Sequence, residues 1–252
     1  MNITFENRMV IVTGAAHGFG REIARRFSEL GAAVHACDVL EDELEETRSL
    51  CGPRCRTAVV DVTDQQAVNA FARAAEASAG RVHVLVNNAG GVLGQTGRPI
   101  EEVPAAEWQA ILDVNLTGTF YMSQAVAPGM KRAGGGRIVN ISSGAGLGVS
   151  LTGIQAYAAA KAAQIALTRQ LAHELGPFQI TVNNVAPGFV RSNPNTERQW
   201  QSYGEDGQAA LLARIALRRL GTPADIANAV LFLASDYAGW ITGEVLSVAG
   251  GR

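Results

Sequence analysis

Seven short apolar runs rich in β-branched residues recur along this chain, from RMVIVTG at residue 8 to EVLSVAGG at residue 244, with amphipathic stretches between them. The five between are AAVHACD, TAVVDV, VHVLVNN, RIVNIS and ITVNNVAP. Apolar residues at nearly every position of a short run fit a strand covered on both faces. The segments GREIARRFSELG and QQAVNAFARAAEASAG read as helices, as do Ala105 to Lys131 and the alanine-rich IQAYAAAKAAQIALTRQLAHEL. Continuous strands separated by helices predict a doubly wound α/β fold, with a seven-stranded parallel sheet flanked by helices. Ligands of such a sheet bind beyond the carboxyl ends of its strands.

No internal repeat, low-complexity tract or linker interrupts residues 1–252, so a single domain is expected. Hydrophobic residues make up 47% and charged residues 17%, which suits a well-buried core. A net charge of −2 without a basic cluster offers nucleic acid no electrostatic footprint. No window reaches the roughly 18 apolar residues of a spanning helix. The start, MNITFENRMVIVTG, lacks a secretory signal, so no membrane partner and a cytoplasmic location are expected. Cys51 and Cys55 bracket GPR with no nearby histidine or second cysteine pair; with Cys37 they read as free thiols, and no metal is expected. The one long irregular segment, Gly188 to about Gly207, has the size of a lid or is partly helical, and a substrate lid is expected at about 188–220.

After the first strand comes TGAAHGFG, with Gly14, Gly18 and Gly20 around His17 and Phe19. A turn of this kind, between strand and helix, lets backbone approach a pyrophosphate whose charge meets free amides at the helix start, a Rossmann-like arrangement. The second strand ends in Asp38, 18 residues after Gly20, where an acid accepts hydrogen bonds from an adenosine ribose. Its carboxylate repels a 2′-phosphate, so NAD is expected over NADP. The other role open to Asp38 is capping the acidic helix behind it. Asp61 and Val62 frame an adenine or simply start the next helix.

Tyr157 and Lys161 lie four residues apart on one helix, hence on one face. Only one other lysine, Lys131, occurs in the chain. An ammonium near a phenol stabilises phenolate, which equips such a tyrosine to exchange a proton with an alcohol or carbonyl.

Seven pieces in order, TGAAHGFG, NNAG at Asn87 to Gly90, VNL with Asn115, NISS with Ser142 and Ser143, YAAAK, NNVAPGFVRS and GTPADIA, make the sequence resemble the short-chain dehydrogenase/reductase family over essentially its whole length. The resemblance implies a nicotinamide-dependent oxidoreductase with Tyr157 as general acid/base. It implies that Lys161 holds the nicotinamide ribose and lowers the tyrosine pKa, while Asn115 helps position a water. Members commonly place the serine 13 positions before the tyrosine, where Gly144 stands here; aligning NISS points to Ser143, with Ser142 as the fallback. The same resemblance puts Asn88, Ala89 and Gly90 at the cofactor's ribose, Pro187 and Gly188 beside the nicotinamide, and Val190 and Ser192 at its carboxamide or the pyrophosphate. The four-residue spacing differs from the wider one of enoyl thioester reductases. A homotetramer is also implied.

For the substrate, Arg191, Asn193 and Arg198 in the lid, with Gln155 near the tyrosine, suit a polar small molecule, and a sugar, sugar acid or polyol is the favoured class. A ketone or 3-oxoacyl reductase acting on less polar substrates is the other enzyme reading. A non-catalytic NAD-binding sensor is the third, although it has little reason to keep Tyr157, Lys161, a serine and Asn115 together.

Overall fold

In the computed structural model, which describes residues 2–251, the seven strands form one parallel sheet. They are β1 (Met9–Thr13), β2 (Ala33–Asp38), β3 (Cys55–Val59), β4 (Val84–Asn87), β5 (Gly136–Ile141), β6 (Ile180–Pro187) and β7 (Val245–Val248). The helices are α1 (Gly18–Glu29), α2 (Glu41–Cys51), α3 (Gln65–Ala79), α4 (Ala105–Leu112), α5 (Gly118–Arg132), α6 (Gln155–Leu175), α7 (Pro194–Ser202), α8 (Gly204–Arg214) and α9 (Pro223–Ala234). Strand order is β3-β2-β1-β4-β5-β6-β7, so the winding reverses between β1 and β4. That reversal opens a crevice at the carboxyl ends of those two strands.

Alternation along the strands divides the core into two layers. Val10 and Val12 of β1 face one side, where Ile23 and Phe27 of α1 meet Ile226 and Val230 of α9. Ile11 faces the other, with Val68 and Phe71 of α3, Met122 and Val126 of α5 and Leu175 of α6. Burial on both faces is why these strands read as unbroken apolar runs.

Several boundaries differ from the sequence reading. β3 covers Cys55–Val59 rather than residues 57–62, because Val60 and Val62 continue the apolar run into the core after the ladder has ended. The long helix is interrupted at Asp113–Thr117 by a π turn between α4 and α5. The segment read as a lid or as partly helical holds two helices: Asn193 and Thr196 form a reciprocal capping box with Pro194 in the first turn, so α7 starts on capping chemistry where apolar periodicity is weak. Helix α9, outside the helices read from sequence, starts the same way on Thr222 and Asp225.

Candidate active site

The turn after β1 is shaped by contacts that leave no room for a side chain. A Cβ on Gly14 (φ +64°) would sit 2.7 Å from Ala89 Cα, one on Gly18 (φ +57°) 2.7 Å from the Ser192 carbonyl oxygen, and one on Gly20 2.0 Å from the Gly14 carbonyl oxygen. His17, the N-cap of α1, makes no side-chain capping bond, so no side chain competes for the first amides of that helix. Phe19 packs on the core layer below. Bare backbone at an uncapped helix start fits a dinucleotide pyrophosphate.

Thr13 and Asn88 lock this turn to the next loop. Thr13 Oγ1 accepts from the Asn88 and Ala89 amides, both at 3.0 Å, and Asn88 Nδ2 donates to the Thr13 and Gly14 carbonyls at 3.1 and 2.8 Å. Thr13 is absent from the sequence-derived site, although a hydroxyl ending an apolar strand immediately before the glycine is its visible signal.

Asp38 stands at the carboxyl end of β2. Its Oδ2 accepts from the Ala16 amide at 2.9 Å, and Oδ1 from Val39 and Leu40 at 2.7 and 3.2 Å. The N-cap of α2 is Leu40, without a side-chain capping bond, so Asp38 braces the glycine turn instead of capping that helix. Around it stand Glu41, Asp42 and Glu43, the last 4.0 Å from His17 Nε2. The nearby Arg21 is occupied by the Ala16 and Glu43 carbonyls and by Glu46. Asp61 Oδ1 accepts from Thr63, while Val62 is buried with one face against Gly118; both stand in the turn ahead of α3, whose N-cap is Asp64.

The chemistry-bearing groups gather beyond β4 and β5. Tyr157 packs beside Ile111, Ile154 and Trp108. One turn on, buried Lys161 donates to the Ile141 carbonyl at 2.9 Å, its ammonium nitrogen 5.7 Å from the Tyr157 ring centre. Ser143 caps the short turn Gly144–Gly146, its Oγ accepting from the Ala145 amide at 3.1 Å, and stands near enough to Tyr157 to oppose the rise of its pKa. Ser142 points away: its hydroxyl donates to Asn184 Oδ1. That bond belongs to a buried polar ladder in which Asn87 reaches Asn140 at 2.8 Å and Asn140 reaches Thr168 at 2.9 Å. The two serines thus divide the structural and the cleft-facing positions between them.

Asn115 lies in the π turn, fully buried. Its side chain accepts from the Gly91 amide at 3.0 Å and donates to the Gly91 and Ile111 carbonyls at 2.8 and 2.9 Å. A Cβ on Gly90 would lie 2.5 Å from Asn115 Oδ1 and 3.3 Å from Lys161 Nζ. Asn115 therefore ties the loop after β4 to α4 beside the lysine; both of its N–H donors are used, and Oδ1 keeps one acceptor position.

Burial governs the protonation of the pair. It raises Tyr157 above the ordinary phenol value, with Ser143 opposing, and it lowers Lys161 to about 7. Burial out of water favours the neutral form of each group in the protein alone.

Of the remaining expected residues, Pro187 ends β6, and a Cβ on Gly188 would fall 2.9 Å from Ala249, which sets a tight turn beside β7. Val190 is 3% exposed and packs in the core, so only its backbone can meet a ligand. The Ser192 backbone abuts Gly18 and joins lid to glycine turn. The polar side chains of the 188–220 segment are engaged within the protein but keep donors: Arg191 reaches both Glu197 carboxylate oxygens through Nε and Nη2, Arg198 reaches Asn195 through one Nη, and Asn193 Oδ1 accepts from the Thr196 amide, while Gln155 Nε2 donates to the Arg98 carbonyl at 2.8 Å.

Comparison with known proteins agrees with this geometry. The family model described as enoyl-(acyl carrier protein) reductase matches residues 14–252. Subunit BbsD of a hydroxy(phenyl)methylsuccinyl-CoA dehydrogenase from Thauera aromatica is 42% identical, covering 98% of this chain and 97% of its own. The 7alpha-hydroxysteroid dehydrogenase of Escherichia coli K12 is 36% identical over 99% of this chain and 96% of its own. The 3-oxoacyl-acyl-carrier-protein reductase FabG of the same strain is 37% identical, at 99% and 98%. Among solved structures, levodione reductase superposes with a TM-score of 0.91 at 30% identity, covering 98% of this chain and 97% of its own. No described helix is long and apolar enough to cross a membrane. Matched from end to end by such relatives, the chain belongs to the short-chain dehydrogenase/reductase family and is an oxidoreductase that interconverts secondary alcohols and their carbonyls.

Proposed function

We propose that this enzyme acts on a secondary alcohol or ketone whose body is largely apolar, with Tyr157 as the proton-exchanging group and NAD as the preferred dinucleotide. The observation that carries the substrate reading is the state of the lid. The polar side chains that would recognise a sugar or polyol are bonded to one another, whereas Phe189, Trp200 and Tyr203 form an aromatic cluster with ring centres 6.1 and 5.8 Å from Phe189. Leu147, Val149 and Leu151, in the loop after Ser143, are exposed at 52, 93 and 37%. Apolar side chains left in water beside a cleft favour an apolar ligand over a polyhydroxylated one. The relatives' names point the same way: a phenyl-bearing succinyl thioester, a steroid and an oxoacyl chain.

In the oxidative direction the Tyr157 phenolate takes the alcohol proton while Ser143 hydrogen-bonds the same oxygen and fixes its position. Lys161, anchored on Ile141, keeps further N–H donors for a ribose hydroxyl. A bound nicotinamide supplies the hydride acceptor or donor that no side chain here can provide. An absorbance assay of reduced nicotinamide should show turnover of cyclic and aryl secondary alcohols, or of 3-oxoacyl thioesters, well above that of aldoses and polyols. Turnover confined to the sugars would sink the reading.

The NAD preference rests on Asp38 and its acidic surroundings. Asp38→Asn keeps the shape and loses the charge. The ratio of kcat/KM for NADP to that for NAD should rise about tenfold or more, the scale of one charge-assisted contact. An unchanged ratio would separate Asp38 from dinucleotide selection.

A further inference from the structure

At the far end of the sheet from Tyr157, Arg8 just ahead of β1 and the first residues of β4, β5 and β6 border a cavity of about 490 Å³. Its charged lining is Arg8, Arg81, Arg137 and Asp236, three guanidinium groups against one carboxylate. Asp236 lies 3.1 Å from Arg8 and 3.8 Å from Arg137, and its side chain is 78% exposed, so water competes for the only counter-charge. Two of the arginines are held in place by backbone: Arg81 Nη2 donates to the Gly135 carbonyl at 2.9 Å and Arg137 Nη1 to that of Gly136 at 3.0 Å. Their Nε atoms, and Thr181 Oγ1 on the same wall, are buried without a hydrogen-bond partner among the described residues.

The neighbouring titrations show the same shortage of negative charge. Burial lowers Arg137, with Arg8 adding to the effect against Asp236. His83, whose Nδ1 accepts from the Met9 amide at 2.9 Å, is lowered to about 4 by burial and by Arg81 and Arg8, so it adds no charge at neutral pH. The sealed Nε atoms are out of a ligand's reach, but each guanidinium keeps Nη donors beyond its one backbone bond, and partly buried guanidinium groups short of acceptors are a costly arrangement unless an anion completes it. None of these residues takes part in the chemistry at Tyr157.

We propose that this cavity is a second ligand site, for a small molecule bearing a multivalent oxyanion, phosphate or clustered carboxylate, held by Arg8, Arg81 and Arg137. Planar guanidinium groups match both kinds of headgroup through paired N–H···O bonds. The volume exceeds that of a bare ion, and the fully exposed indole of Trp240 gives the organic part an apolar wall.

Calorimetric titration with inorganic pyrophosphate and, separately, citrate tests the site, using full-length protein saturated with NADH so that the glycine turn cannot bind the probe. Saturable binding of at least one probe, at one site per chain, is expected. It should weaken by at least about tenfold in Arg81→Gln and Arg137→Gln, since each removes a charge-assisted pair. Asp236→Asn should tighten it, because that exposed carboxylate competes with the ligand. The stronger probe identifies the headgroup. Absence of saturable binding by either probe, or binding that the arginine substitutions leave unchanged, overturns the proposal. Should the arginine variants fail to fold, Asp236→Asn decides alone, and unaltered affinity there also overturns it.

Discussion

Replacing Tyr157 by phenylalanine should lower turnover by about 10³-fold, inside the ~10²–10⁴ range that a positioned proton donor supplies. The ring still packs beside Ile111, Ile154 and Trp108, so thermal stability should stay near that of the parent. NADH affinity should also persist, because the glycine turn and Asp38 are untouched. The pH dependence makes the prediction specific. Oxidation needs the phenolate, and burial has raised the pKa of Tyr157, so kcat/KM for an alcohol should climb with pH toward and beyond the ordinary phenol range. Reduction needs the phenol, so it should stay level there and decline only above the raised pKa. Lys161, lowered to about 7, changes charge earlier and gives a separate, lower inflection. In Tyr157→Phe the upper inflection disappears. A variant that keeps its turnover, or the rising alkaline limb, would remove Tyr157 from the proton path.

The parts of this site that are legible in the sequence have local signatures. A glycine turn between strand and helix, an acid after the second strand and a tyrosine four residues before a lysine each follow from short-range rules of backbone and spacing. The sequence leaves Asp38 as a ribose acceptor or a helix cap, and its bond from the Ala16 amide, 22 residues away, is out of reach of local rules. Ser142 and Ser143 are adjacent in sequence but differ in role, since β5 ends just ahead of them and the turn follows: one meets Asn184 and the other caps Gly144–Gly146 beside Tyr157. The 188–220 segment shows the same limit. Arg191, Asn193 and Arg198 read as a polar string, and only the folding of α7 shows that Glu197, Asn195 and the helix cap engage part of their hydrogen-bonding capacity. Spacing along a chain identifies which groups can interact; the competition for their hydrogen bonds is settled in three dimensions.

The strictest steric demand in the chain falls on Gly20, and Gly20→Ala should be disproportionately damaging for one added methyl. The residue is helical, so no unusual φ is at stake; the whole cost is collision. Its Cβ would lie 2.0 Å from the Gly14 carbonyl oxygen and 2.6 Å from Asn88 Nδ2. The first is backbone, and the second donates to that same carbonyl at 2.8 Å, so neither can swing aside without releasing the lock between β1 and β4. Overpacking of this kind costs about 1–3 kcal/mol. For a chain of this length that is a fall in Tm of roughly 2–12 °C. Dinucleotide affinity should fall further, by about 100-fold or more, because moving the turn misdirects several amides at once, each such contact carrying ~1.5–3 kcal/mol when the acceptor is charged. Gly135→Ala is the matched control. That glycine is not in the left-handed region and an added methyl would meet nothing closer than 3.5 Å, so loss of backbone freedom in the unfolded chain should leave the protein unchanged or slightly more stable. Equal behaviour of the two variants in thermal unfolding and NADH titration would show that the turn yields to a side chain, and that close backbone approach at Gly20 is not what binds the cofactor.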